Sequence, residues 1–232
     1  MPPQFKTAKC VKNEVLASTY HDIVFETDSP LEFLPGQFIT IKVNDKLVRS
    51  YSVAGKLPNN QFGLLINISP GGPGSIFFEN LKPDDQIEYI GPAGVFTLKL
   101  DDGADHLVFL GTGSGIAPLK AMIESALREH QTQKPLTLYF GLRYEKDIHW
   151  DEYFKELANQ HKNFKYTLCL SKPEENWQGV SGHITDLLKN EFKDTSKVSA
   201  YLCGSEKMIE ESKKYLTQNK TPTNRIYHEK FY

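Results

Sequence analysis

Three short runs in this 232-residue chain combine residue types that could hold a flat, phosphorylated cofactor. Gly111-Thr-Gly-Ser-Gly115 follows the apolar run His106–Leu110 and precedes a helical pattern opening at Pro118. Glycines at such a turn let the backbone approach a diphosphate, and a helix N-terminus offers free N–H groups with a partial positive charge. The spacing is G-x-G-x-G, not the G-x-G-x-x-G of the standard dinucleotide fingerprint, so a ligand-free glycine turn remains an alternative. Arg49-Ser-Tyr-Ser52 ends a second apolar run. There the arginine can pair with a phosphate, the tyrosine can lie against a heterocycle, and a serine can hydrogen-bond a ring nitrogen. Gly71-Gly-Pro-Gly-Ser75 is either a second phosphate cradle or a plain hairpin loop.

Strands and helices must position these runs. Alternation along a strand sets Arg49 and Tyr51 on one face and Ser50 and Ser52 on the other. A ligand touching Arg49, Tyr51 and Ser52 together therefore requires a bend near Val53–Gly55. Before Asp101 the pattern predicts short strands at Ile23–Glu26, Gln37–Val43, Leu47–Ala54, Phe62–Ser69 and Gln86–Ile90, separated by Pro, Gly, Asn and Asp. Such spacing implies an antiparallel barrel or sandwich. One short helix is predicted over Ser75–Leu81, with Ser75 as its cap.

After Asp105 strands and helices alternate. Predicted strands are His106–Leu110, Leu136–Phe140, Lys165–Leu170, Ser199–Cys203 and Arg225–His228. Between them, Leu119, Met122, Ile123, Ala126 and Leu127 share one helical face; Ile184, Leu187 and Leu188 mark a second, and Met208, Ile209, Ser212 and Leu216 a third. This order implies a doubly wound α/β domain with a parallel sheet. Polar Asp101–Asp105 is the expected boundary, dividing a β-barrel domain at 1–101 from an α/β domain at 102–232. Ligands of open α/β sheets bind beyond the carboxyl ends of the strands, where Gly111–Gly115, Gly141-Leu-Arg143 and Cys203-Gly204 fall.

Composition narrows the class. A formal charge of -2 with 24% charged residues offers no basic face for nucleic acid. No run approaches the roughly 20 apolar residues of a membrane helix, and Met-Pro-Pro-Gln-Phe-Lys lacks the apolar core of a secretory signal. Three distant cysteines point to reduced thiols and a cytoplasmic location. They are too few for a four-thiolate iron–sulfur cluster. The seven histidines show no metal spacing, so no metal is expected. His21, His106, His130 and His161 read as surface or strand-end residues, Cys10 and Cys169 as buried packing groups. Trp150 and Trp177 read as packing residues or nucleotide-loop contacts. With no histidine base near it in sequence, Cys203 is not expected to be a nucleophile.

Taken in order, Arg49–Ser52, Gly72–Ser75, Gly91-Pro-Ala-Gly94, Gly111–Pro118, Cys203-Gly204 and the terminal Phe231-Tyr232 resemble the ferredoxin–NADP reductase superfamily, from about Phe5 to Tyr232. The resemblance implies a barrel holding flavin and an α/β domain holding a pyridine nucleotide. Within the motif that includes Ser50, it assigns flavin phosphate to Arg49, the isoalloxazine face to Tyr51 and the neighbourhood of N5 to Ser52. Gly74 and Ser75 would bind the diphosphate of FAD, a part that FMN lacks. Gly111, Thr112, Gly113 and Gly115 would bind the nucleotide's diphosphate, with Cys203 and Gly204 beside the nicotinamide. Phe231 or Tyr232 would cover the flavin, and Glu229 matches an acidic residue of that ending. Ser52, Cys203 and Glu229 become the candidates for tuning hydride transfer. Arg143 resembles an arginine that grips the adenosine 2′-phosphate; with Lys172 and His183 it tilts the choice between NADPH and NADH slightly toward NADPH. The implied outlet is a separate ferredoxin or flavodoxin. Reduction of free flavin, service as the reductase of an oxygenase or desaturase, and a non-catalytic flavin module are the alternatives. A held FAD speaks against free flavin, and an intact glycine turn speaks against a non-catalytic module.

Overall fold

The computed structural model describes residues 4–230. Six antiparallel strands close into a barrel in the order β1-β2-β5-β4-β3-β6. They are β1 (Lys6–Ala17), β2 (Tyr20–Glu26), β3 (Phe38–Asn44), β4 (Leu47–Leu57), β5 (Gln61–Asn67) and β6 (Gln86–Ala93), with α1 (Pro73–Asn80) between the last two. The barrel interior is filled by alternate side chains such as Phe25, Ile39, Ile41, Phe62 and Leu64, and Phe78 of α1 plugs one side.

The second layer set is a parallel sheet in the order β10-β9-β8-β7-β11-β12. Its elements run β7 (His106–Thr112), α2 (Ile116–Glu124), β8 (Leu136–Leu142), α3 (Asp151–Gln160), β9 (Phe164–Leu170), β10 (Val180–Ser181), α4 (Ile184–Glu191), β11 (Val198–Gly204), α5 (Glu206–Gln218) and β12 (Ile226–Lys230). Strands buried on both faces read as continuous apolar runs, and β11 is buried at every position. Strand order reverses between β7 and β11, so the turns after those two strands form the crevice that this topology offers a ligand. Helices α2 and α3 pack on the face toward the barrel, in one apolar cluster with Tyr20, Ala54, Leu65 and Phe96. Residues of α4 and α5 fill the opposite face.

The structure departs from the sequence reading, or adds to it, at several points with physical causes. Strand β1 escapes the period-2 pattern because its pairing with β2 shifts register at Cys10/Lys12 and again at Val15/Ala17. Helix α3 buries only Phe154 and Leu157, too narrow a stripe to stand out. The first short helix starts at Pro73 with Gly72 at the cap position and no side-chain cap bond. Proline's fixed φ suits the first helical position, so Ser75 lies inside the helix with no capping role. His21, read as a surface or strand-end residue, stands at the start of β2 but is buried, bonded through Nδ1 to Asn13 Oδ1 at 2.8 Å. The segment Asp101–Asp105 is polar but anchored: Asp102 accepts from Ser199 Oγ at 2.5 Å and Tyr227 Oη at 2.9 Å.

Candidate active site

On the barrel side the site starts with the bend in β4. Its pairing with β5 shifts register between Val53 and Gly55, and Gly55 has φ +156. Arg49 is exposed, Tyr51 half-buried and Ser52 buried. The Tyr51 ring meets Phe78 edge-on at 4.8 Å, which fixes its plane. Burial, opposed by Arg49, pushes the Tyr51 phenol up to about 12, so it stays neutral. Ser50 points elsewhere: it is exposed, and its hydroxyl lies 3.0 Å from Thr40 Oγ1 on the neighbouring strand. Gly74 closes over this face. A Cβ there would stand 2.6 Å from Tyr51 Oη and 3.8 Å from Arg49 Cγ, so the glycine leaves open a cradle that any side chain would fill. A neutral phenol, an exposed guanidinium and an open glycine at a helix start fit a phosphorylated flavin.

On the sheet side, the turns after β7 and β11 interlock. Ser205 N donates to Thr112 Oγ1 at 2.8 Å. Gly204 has φ +136, and a Cβ there would stand 2.0 Å from that same oxygen. Gly115 faces the Cys203 carbonyl, where a Cβ would come within 2.4 Å of the oxygen. Gly111 lies buried beneath Leu119, whose Cδ1 would be 3.0 Å from an added Cβ. Gly111 and Gly115 therefore serve close packing of α2 on the strands, while Thr112, Gly113 and Ser114 line the open cleft. Ser114 is the motif residue that the sequence reading gave no role. The open turn, bounded by backbone, fits a nucleotide diphosphate.

The two sides touch at Ser52, whose hydroxyl donates to Glu229 Oε2 at 3.3 Å across 177 positions of sequence. Burial raises the Glu229 carboxyl above its ordinary value, and the Ser52 bond offsets this in part. Cys203 pairs directly with Glu229 in the β11–β12 register. Its thiol is fully buried and pushed well up, by burial and then by Glu229, so it remains a thiol. Phe231 and Tyr232 lie outside the described residues.

A cleft of about 880 Å³ runs from the glycine turn along the carboxyl ends of the sheet strands. Arg143, Lys172 and His183 line it, together with Thr112, Gly113 and, from the barrel, Tyr20. Behind the bend of β4 sits a polar cluster that no motif announces. Lys120 of α2 donates to the Ala54 carbonyl at 3.4 Å and to Glu124 Oε1 at 2.9 Å, and Glu124 also accepts from Tyr153 Oη. The ammonium lies 4.8 Å from the Tyr153 ring centroid and 5.5 Å from that of Trp150. A helical i, i+4 Lys–Glu pair is so common on surfaces that its sequence signal is indistinguishable from a solvated pair. Among the described residues, no group of three or more His, Cys, Asp or Glu could hold a metal, and no helix is long and apolar enough to cross a membrane.

Two family models match. Residues 8–98 match an oxidoreductase FAD-binding domain, and residues 109–214 match an oxidoreductase NAD-binding domain. The reductase component of the naphthalene 1,2-dioxygenase/salicylate 5-hydroxylase systems of a Ralstonia species is 32% identical over 88% of this chain and 63% of its own length. The phenol 2-monooxygenase reductase component of Pseudomonas sp. strain CF600 is 30% identical over 94% of this chain and 63% of its own. The chain thus spans less than two thirds of these relatives. Among solved structures, an Amycolatopsis cytochrome P450 reductase superposes with a TM-score of 0.89 at 27% identity, over 99% of this chain and 71% of that one.

Proposed function

The chain belongs to the ferredoxin–NADP reductase superfamily, and we propose on that footing that it takes a hydride from NAD(P)H onto bound FAD and passes the electrons to a separate acceptor protein. The observation that carries this reading is the Ser52–Glu229 hydrogen bond, which joins the middle of the flavin-motif strand β4 to the last sheet strand beside Cys203. Residues 1–101 form the flavin module and 102–232 the nucleotide module. When bound, FAD accepts two electrons together and can release them singly.

The chain's own residues do the positioning. Arg49 neutralises flavin phosphate, Tyr51 fixes the ring plane, and Gly74 with Ser75 admits the diphosphate. Thr112, Gly113 and the turn around them hold the nucleotide diphosphate, with Gly111, Gly115 and Gly204 keeping that turn tight. Ser52 donates to Glu229, and that bond holds its hydroxyl oxygen in place in the site. The raised Glu229 carboxyl keeps its proton to a higher pH than an exposed one, which limits charge in a site where water is excluded. Cys203 fills the space next to that carboxyl as a neutral thiol. Orientation, not acid–base chemistry, supplies most of the rate.

Arg143, Lys172 and His183 along the cleft support NADPH over NADH, because an arginine fork suits a 2′-phosphate. The acceptor in this reading is a ferredoxin or flavodoxin. A second reading, the reductase component of an oxygenase system, is favoured by the descriptions of the similar relatives. Three buried free cysteines support a cytoplasmic location. The test is anaerobic reduction followed by mixing with ferredoxin, flavodoxin or free flavin. Rapid reoxidation by a carrier protein is expected; reoxidation by free flavin alone contradicts the proposal.

A further inference from the structure

The barrel reaches into the cleft at one point that no glycine motif explains. Tyr20 opens β2 and is 7% exposed. Its ring stacks on the imidazole of His149, with centroids 4.3 Å apart and planes 29° apart. His149 belongs to the segment between β8 and α3, on the sheet side. The turn carrying Tyr20 is tied to β5 and its exit, since Thr19 Oγ1 donates to Asn67 Oδ1 and Ile68 N to the Thr19 carbonyl, each at 2.9 Å. The far end of the ring lies over the glycine turn: a Cβ on Gly113 would stand 3.0 Å from Tyr20 Oη, and Gly113 has φ +57. Stack and turn together hold the phenol over Gly113.

The hydroxyl is a neutral donor. Burial, with Asp147 adding and Arg143 opposing, pushes the phenol up to about 12, and no hydrogen bond to a described residue contributes. The imidazole behind it is neutral as well. Burial lowers His149 to about 4, and the Asp147 carbonyl, which can only accept, takes the Nδ1–H at 2.8 Å. A neutral ring pair places a donor beside Gly113 without adding charge.

We infer that Tyr20 is a nucleotide-binding residue contributed by the barrel, its Oη–H donating to the diphosphate bridge of the dinucleotide where that bridge crosses Gly113. The inference rests on the nucleotide reading above and adds that the cleft is incomplete without the barrel. Tyr20→Phe keeps the ring and its stack and removes only the hydroxyl. The probe is ADP-ribose, which carries the diphosphate bridge and no nicotinamide, titrated calorimetrically into the FAD-loaded chain. Tyr20→Phe is expected to weaken ADP-ribose about tenfold, as for a lost hydrogen bond to a charged group, with FAD content and melting temperature at wild-type values. Equal affinity in the two chains overturns the inference. So does a loss of affinity that is matched by lost FAD and a lowered melting temperature, the mark of a packing defect. A wild-type chain that does not bind ADP-ribose brings down the nucleotide reading itself, and this inference with it.

Discussion

Glu229 shows how much of a residue's chemistry its surroundings decide. Its carboxyl is raised above the ordinary value, chiefly by burial. A carboxyl raised in the folded state contributes stability below its unfolded value and loses it as pH climbs through the folded value. Glu229→Gln keeps a hydrogen-bonding partner for Ser52 and removes that loss. Thermal melts should therefore show the variant more stable than the wild type at neutral pH, with the gap closing as pH falls to the ordinary carboxylate range. A gap that widens toward acid contradicts the buried-carboxyl account. Arg143 offers a second test at this scale. Arg143→Ala should raise KM for NADPH about tenfold, the worth of one phosphate pairing, and leave KM for NADH within a factor of about two. Equal changes for both nucleotides would remove Arg143 from the specificity account. These residues were legible only as types and spacings. The sequence placed Arg49, Tyr51 and Gly74 in two separate motifs, and nothing in their spacing told that Gly74 packs directly on the Tyr51 hydroxyl.

Elements were more legible where their periodicity was clean. The buried sheet strands announced themselves as apolar runs, and the bend required near Val53–Gly55 falls where β4 shifts register. Strand β1 and helix α3 were hidden, one by two register shifts and the other by a stripe of two buried residues. The contact between α2 and β4 belongs to this scale too, and Lys120 with Glu124 is its polar part. Both side chains are mostly buried, at 14% and 19% exposure, so removing one partner costs more than it would in a surface pair. Glu124→Ala strips Lys120 and Tyr153 of their common acceptor and should cost about 2–3 kcal/mol in denaturant unfolding. Glu124→Gln should cost less, because it still accepts from Tyr153. Equal, negligible losses for both would mean the cluster behaves as a solvated pair.

At the scale of the whole molecule, the order of the motifs carried the family, and the family carried the two-part plan. What the sequence could not supply was the docking of the two parts. That docking depends on Tyr20, Ala54, Leu65 and Phe96 packing into one cluster with Phe109, Met122 and Tyr201, side chains scattered over some 180 positions. Such contacts leave no periodic trace, because each residue looks locally like ordinary core. The outcome is a Ser52 hydroxyl and a Glu229 carboxyl within hydrogen-bonding distance, with Glu229 beside Cys203 near the carboxyl end of β11. Hydride passage between two cofactors held on different folds is the central claim, and anaerobic titration of the FAD-loaded chain with NADPH and NADH tests it most directly. Stoichiometric bleaching of the yellow flavin absorbance by at least one of the two is expected. A chain that holds FAD yet keeps its full colour in the presence of both contradicts the account.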